Sequence, residues 1–393
     1  RWKISSIVRF ESKLMKILQI SFHTAPFGSA GKYDSGGLNI YVEKISDHLS
    51  KNNYVTVVTA EKAESFVNAN LEFKSLNLFD RDLSVEDKEI YLQEFINKLY
   101  ESVDLESFDV IHTHYWLSGL VGKEIANKFN KPLVYTSHSL GIFLDGYNKE
   151  RVDCEKIVMT SSDIITTSSL FEEYMILDNY NVDSNKVKQI TPGVDIEIFT
   201  PDSTIKRENL FLSVGRIQEQ KGQIETIKFL DNFRKVDNNF FCYFIGGPSG
   251  KSGSEYLEEL RQTVVDLNLG SHIDFLDNLP QTEIRNLLNK SKLLIHTSKF
   301  ETFGLVAAEA NAMGVPVLTT NSGSLLEIVE SNKNGYYSEN LIDRNVNNFV
   351  QNLIQDSKKF NEIMKNCIDK SKNYDWKKTS IEIEKAYQIL KKN

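Results

Sequence analysis

Two carboxylates, Glu301 and Glu309, flank the turn Thr302-Phe303-Gly304 in the run KFETFGLVAAEANAMGVPV. The turn reads as a loop entering a helix from Leu305 to Met313. Amide N–H groups exposed at such a helix start suit anionic or hydroxyl-rich ligands. Glu309, one turn in, carries two acceptor oxygens that match the paired hydroxyls of a ribose, so the stretch suits a nucleotide-sugar. An alanine-rich core helix with solvated glutamates would give the same residues no chemistry.

Three further groups have reactive side chains or phosphate-compatible backbone. Gly36 and Gly37 follow a strand and a polar loop and open a helix, where backbone can approach a phosphate closely. His112 and His114 alternate along DVIHTH and so share one face of a strand, while His138 ends LVYTSH. A metal pair is conceivable there, but no third ligand is evident, and a hydrogen-bonded core position is the reading for His112. Asp80-Arg81-Asp82 has the Asp-x-Asp form that can hold a divalent cation, yet it lies in a polar loop far from the other signals.

The elements that must position these groups alternate from end to end. Apolar runs KILQIS, YVTVVTA, DVIHTH, LVYTSH, IITTS and VKQITPG are separated by helical patterns, and LFLSVG, FFCYFIGG, HIDFLDN, LLIHTS and PVLTTN repeat the scheme. This is the signature of βαβ units with parallel sheets. In GGLNIYVEKISDHLSKN, residues Leu38, Tyr41, Val42, Ile45 and Leu49 fall on one helical face. Residues 191–209 carry prolines and mixed charge without periodicity and read as the connection between two domains. Two doubly wound sheets would present ligand sites at the carboxyl ends of their strands, facing each other across a cleft.

A chain of 393 residues exceeds one ordinary core. Hydrophobic residues at 40% and charged residues at 25% are those of a globular protein. The net charge of −8 argues against binding nucleic acid by phosphate neutralisation. Cys154, Cys242 and Cys367 lack metal-type spacing and point to a reducing, cytoplasmic setting. No apolar run is long enough to span a bilayer. Residues 1–14 are set aside as an upstream extension before the first strand.

Four segments, SFHTAPFGSAGKYDSGGLNIYV, HTHYWLSG with TSHSLG, SVGRIQEQKG and ETFGLVAAE, resemble in order the retaining glycosyltransferases of family 4, in the branch holding the inositol-phosphate enzymes of the mycothiol pathway and the sucrose-phosphate synthases. The resemblance implies the α/β GT-B fold, two Rossmann-like domains with a cleft between them. Residues 15–195 would form the acceptor domain, 205–375 the nucleotide-sugar domain, and 376–393 a helix packing back on the first. It also implies a donor site of Gly36, Gly37, Phe303, Gly304, Leu305 and Glu309, with Arg216 and Lys221 as a cationic clamp on the leaving diphosphate. Fixed cations aimed at charge that grows during transfer favour the transition state over the ground state, and such a clamp needs no metal. His138 and Glu301 would face the donor sugar and complete the catalytic set.

For the acceptor, the resemblance implies a phosphate pocket of Tyr115, Ser139 and Arg151, together with Asn39. The family lysine has no clean counterpart: Val85 stands at the matching place, with Arg81 and Lys88 as the nearby cations. The expectation is a metal-independent hexosyl or N-acetylhexosaminyl transferase using UDP-glucose or UDP-GlcNAc, without another cofactor. No nucleic-acid or membrane partner is expected, and a homodimer stays open. A sucrose-phosphate-synthase-like activity, an aminocyclitol acceptor and a UDP-sugar epimerase on the same fold are the alternatives.

Overall fold

Runs rich in β-branched and aromatic residues, closed by Gly, Pro or Asn, form strands, and the amphipathic stretches between them form the covering helices. The computed structural model describes residues 14–27, 36–81, 83–143, 148–250 and 252–391. Except for Leu14, the proposed upstream extension therefore lies outside the described residues, as does Asp82.

The first sheet contains β1 (Lys16–Ile20), β2 (Tyr54–Glu61), β3 (Phe66–Asn68), β4 (Leu71–Phe79), β5 (Val110–His114), β6 (Leu133–Thr136), β7 (Ile164–Thr167) and β8 (Val187–Gln189). Its order is β3-β4-β2-β1-β5-β6-β7-β8, parallel except for the β3–β4 pair. The second sheet contains β9 (Leu210–Val214), β10 (Phe241–Ile245), β11 (Ile273–Leu276), β12 (Leu293–His296), β13 (Val317–Thr319) and β14 (Gly335–Tyr337) in the order β11-β10-β9-β12-β13-β14. The fold is α/β, with two Rossmann-like parallel sheets. In each, strand order reverses beside the first strand of the sheet, which opens a crevice at its carboxyl end.

Three strands lie outside the apolar runs of the sequence reading: β3, β4 and the short edge strand β14. β3 and β4 form a hairpin whose longer arm pairs in parallel with β2, and the β2–β4 register shifts between Thr59 and Glu61. Asn77 within β4 has φ 53°, a left-handed residue that breaks the alternation by which a strand is recognised.

The last helix, Trp376–Lys391, buries Trp376, Ile383 and Tyr387 against Met15, Tyr41, Ile45 and Val55, all in the core of the first sheet. The Tyr387 hydroxyl meets His112 Nδ1 at 2.6 Å, and His112 Nε2 lies 2.8 Å from Thr136 Oγ1. His112 is thus a hydrogen-bonded core residue. Lys44 Nζ pairs with Asp195 Oδ2 at 2.6 Å, which ties the first inter-sheet passage to the first half, and Val194 bridges to Asp375, which ties the two passages to each other.

Candidate active site

The Leu305–Ala312 helix begins where β12 and its loop reach the cleft. Gly304 precedes it at φ 95°, and a Cβ there would lie 2.5 Å from Leu325 Cδ2. Glycine allows both that backbone and that approach. Among the described residues the N–H groups of Phe303, Gly304 and Leu305 have no protein acceptor. These are the donors a helix start leaves open for an anion.

Glu301 is held by three donors on one oxygen. Its Oε1 accepts from Lys221 Nζ at 2.6 Å and Ser298 Oγ at 2.8 Å, and lies 3.0 Å from His296 Nε2. Burial alone would raise its carboxyl, but the Lys221 charge and the His296 contact outweigh it and hold Glu301 well below the usual range. It is an ionised acceptor at any working pH. Lys221 ends the short turn Glu219–Lys221 and leans on Glu301 rather than on Glu219. Arg216, in the loop after β9, is exposed and makes no ion pair among the described residues.

Glu309 is buried inside the same helix, and among the described residues Gln281 Nε2, 3.5 Å away, is its one side-chain donor. Burial, and secondarily the Asp195 charge, pushes its carboxyl up to about 8 from an ordinary 4.5. An acid raised in the folded state contributes full stability below its unfolded pKa and loses it as pH rises toward the folded value. Glu309→Gln is therefore expected to raise Tm at pH 7 to 8 and to leave it unchanged near pH 4. If ribose hydroxyls donate to the ionised form, UDP-glucose affinity should climb between about pH 6 and pH 8 in the wild type and stay flat in the variant. Thermal scans and calorimetry across pH check both halves.

The first half of the chain meets this loop directly. The Gly37–Leu49 helix starts against Leu305, and a Cβ on Gly37 would stand 3.1 Å from Leu305 Cδ1. Two helix starts thus converge on one point of the cleft. His138 closes the loop after β6 at φ 60°, its Nε2 3.0 Å from His114 Nδ1 and its ring edge-on to Tyr41 at 4.9 Å. Burial drives its imidazole down to about 3. His138 is neutral at working pH and acts as a hydrogen-bonding group rather than a cation.

Beside His138 lies a second cluster. Arg151 Nη2 donates to Ser139 Oγ at 2.9 Å, and its guanidinium carbon sits 4.9 Å from the Tyr115 ring centre. Tyr115, at φ 77°, and His138 are the two described non-glycine residues of positive φ at this site, and strain of about 1–3 kcal/mol per residue gathers where function fixes geometry. Glu155 is fully buried beneath the cluster. It accepts from Arg151 Nε at 2.8 Å, the Gly141 N–H at 2.9 Å and the Tyr180 hydroxyl at 2.5 Å.

His23, to which the sequence reading gave no role, lies against Tyr115 with ring centres 4.4 Å apart and planes tilted by 40°, and among the described residues its buried Nδ1 has no partner. Burial first, then the charges of Lys88, Arg151 and Arg216, depress its pKa. Cations from both halves therefore surround this ring. Lys88 Nζ donates to the His23 carbonyl at 3.0 Å, whereas Arg81 pairs with Glu61 at 2.6 Å. Lys88 is the nearby cation that reaches the cluster. Asn39 spends its amide on Thr24 Oγ1 and the Ala25 carbonyl, each at 2.8 Å, so its donors hold the loop that carries His23.

Asp80 lies at the surface, 2.9 Å from Lys62. Among the described residues no group of three or more His, Cys, Asp or Glu side chains is placed to hold a metal. No helix of the described residues is long and apolar enough to cross a membrane. A cleft of about 750 Å³ opens among Glu219, Glu225, Glu259 and Glu339. Its lining also carries Lys299.

The chain is similar to known proteins in sequence and in fold. Residues 35–198 match the family profile described as Glycosyltransferase Family 4, and residues 195–373 the one described as Glycosyl transferases group 1. The chain is similar to the D-inositol 3-phosphate glycosyltransferase of Corynebacterium glutamicum, 26% identical over 95% of this chain and 96% of that one. The enzyme of the same name from Corynebacterium jeikeium is 29% identical over 82% and 84%. In fold it is similar to the sucrose-phosphate synthase of Thermosynechococcus elongatus, with a TM-score of 0.84 at 23% identity over 96% and 99% of the two chains. Anabaena HepE, solved with UDP and glucose, gives 0.76 at 19% identity over 95% and 99%. The two profiles together match residues 35–373 in the order of the two sheets, and the chain belongs to the glycosyltransferases of family 4 with the GT-B fold.

Proposed function

We propose that this enzyme moves a hexosyl or N-acetylhexosaminyl group from a UDP-sugar to a small phosphorylated polyol, with inositol phosphate as the leading acceptor, and with retention of anomeric configuration. The observation that carries the acceptor class is the contact of Arg151 with both Tyr115 and Ser139, beside His23 and Lys88. A planar guanidinium with neighbouring hydroxyls suits a phosphate. The relatives named D-inositol 3-phosphate glycosyltransferase support the same acceptor.

On this reading residues 205–375 hold the donor. Glu309 takes the ribose, the open N–H groups of Phe303 to Leu305 and the helix start at Gly36 and Gly37 take the diphosphate, and Arg216 and Lys221 neutralise it. Glu301 and His138 hold the sugar hydroxyls from opposite sides. Residues 15–195, closed by the returning helix, hold the acceptor.

Transfer then breaks the bond from the anomeric carbon to the diphosphate oxygen and forms one to the acceptor oxygen on the same face. The acceptor proton passes to the departing phosphate oxygen. The chain supplies orientation and charge stabilisation, and Arg216 and Lys221 stand where a divalent cation would otherwise serve. The test is mass spectrometry of products from UDP-glucose and UDP-GlcNAc with inositol phosphate and fructose 6-phosphate. A hexosyl adduct on inositol phosphate is expected. An adduct on fructose 6-phosphate alone would favour the sucrose-phosphate-synthase-like alternative, and conversion of the donor without acceptor would mark an epimerase.

A further inference from the structure

Beside the proposed reacting centre the two halves are joined by hydrogen bonds as well as by apolar packing. Ser169 caps the Leu170–Tyr180 helix, accepting from the Glu172 N–H at 3.1 Å. Its hydroxyl proton goes to the Thr302 carbonyl across the cleft at 2.7 Å. Thr302 Oγ1 in turn donates to the His138 carbonyl at 3.2 Å.

One turn away, Glu327 of the second half receives the first two N–H groups of that same helix. Its Oε2 accepts from Leu170 at 3.1 Å and its Oε1 from Phe171 at 2.9 Å. A carboxylate across two open N–H groups of a helix start is a charge-assisted pairing. Phe171 also fills the space over Gly323, and Phe143 stacks on Phe300 at 4.4 Å with planes 11° apart. Inside the first half, Glu172 accepts from Ser137 Oγ and from the Ser168 N–H at 2.6 Å, which ties the helix start to the residue before His138. Two routes thus run from the second half to the His138 backbone.

We propose that Glu327, Ser169 and Thr302 are positioning residues of the transfer reaction. They clamp the halves together where the loop at Glu301 and Phe303 meets His138, so that the two sugar-facing walls are assembled only while the clamp is shut. This rests on the reading above that Glu301 and His138 face the donor sugar. The clamp contributes geometry and touches no substrate. Misplacing reacting groups by about 1 Å costs on the order of a hundredfold in rate, and loss of one strap of several should cost a part of that.

The test uses Glu327→Ala, Glu327→Gln and the near-isosteric Thr302→Val. At saturating donor and acceptor, Glu327→Ala and Thr302→Val should each lower kcat by about tenfold. Glu327→Gln, which keeps one acceptor oxygen, should recover part of the loss. UDP affinity should stay within about threefold of the wild type, because Glu309, Arg216 and Lys221 are untouched. X-ray scattering of the unliganded protein gives a second readout: Glu327→Ala should have a larger radius of gyration than the wild type. Wild-type kcat in both Glu327→Ala and Thr302→Val overturns the proposal, as does a fall in UDP affinity as large as the fall in kcat. Should the wild type transfer no sugar, the acceptor reading fails and scattering alone decides the clamp; equal radii then overturn it.

Discussion

Lys221→Ala is expected to lower kcat by about a hundredfold or more, as does removal of one preorganised group that meets developing charge. Lys221 stands 2.6 Å from Glu301, so its loss acts twice. On the proposed reading it removes a cation from the leaving diphosphate, and it also removes the main charge that keeps Glu301 ionised. His296 and Ser298 still hold that carboxylate, so the variant should fold. Among the described residues the Arg216 side chain makes no ion pair, so Arg216→Ala should show the proposed diphosphate effect alone. Steady-state kinetics at saturating donor separates the two. Wild-type activity should persist in excess EDTA, because the cations are built in. A requirement for manganese would remove the clamp from the account and return attention to Asp80 and Asp82.

Arg151→Ala should erase most of an acceptor preference that the wild type shows for phosphate. A charge-assisted contact between arginine and phosphate is worth roughly 1.5–3 kcal/mol, so inositol phosphate should exceed inositol in kcat/KM by about ten- to a hundredfold. The Glu155 carboxylate beside Arg151 tempers this field without abolishing it, since Lys88 and Arg216 add positive charge around His23. The loss should appear in the acceptor term, with the donor KM unchanged. Equal use of inositol and inositol phosphate by the wild type would remove the phosphate pocket and favour a neutral or amino-bearing acceptor.

The parallel sheets were legible because their strands are short apolar runs with helical patterns between them, a signal carried in local sequence. The β3–β4 hairpin was not, because its longer arm alternates imperfectly and bends at Asn77. Its pairing with β2 decides its state, and pairing partners are not written in a local window. Glu301, Glu309, Phe303, Gly304 and Leu305 could be read as a group since one turn and one helix start carry them all. His23 could not: its significance comes from Tyr115, Lys88 and Arg151, which reach it from three other segments. The same holds for the pairing of Lys221 with Glu301 and for the straps at Glu327 and Ser169. Only folding brings those partners together. Between the two cations near Val85, the deciding fact was a neighbour in space, since Glu61 engages Arg81 and leaves the His23 loop to Lys88.

The most direct test of the account is the anomeric configuration of the product formed from an α-linked UDP-sugar and inositol phosphate in the presence of EDTA, read from the proton coupling of the anomeric carbon by NMR. Metal-free, same-face transfer predicts an α-linked glycosyl inositol phosphate. A β-linked product, or no transfer to the phosphorylated acceptor while donor and chain are intact, would contradict it.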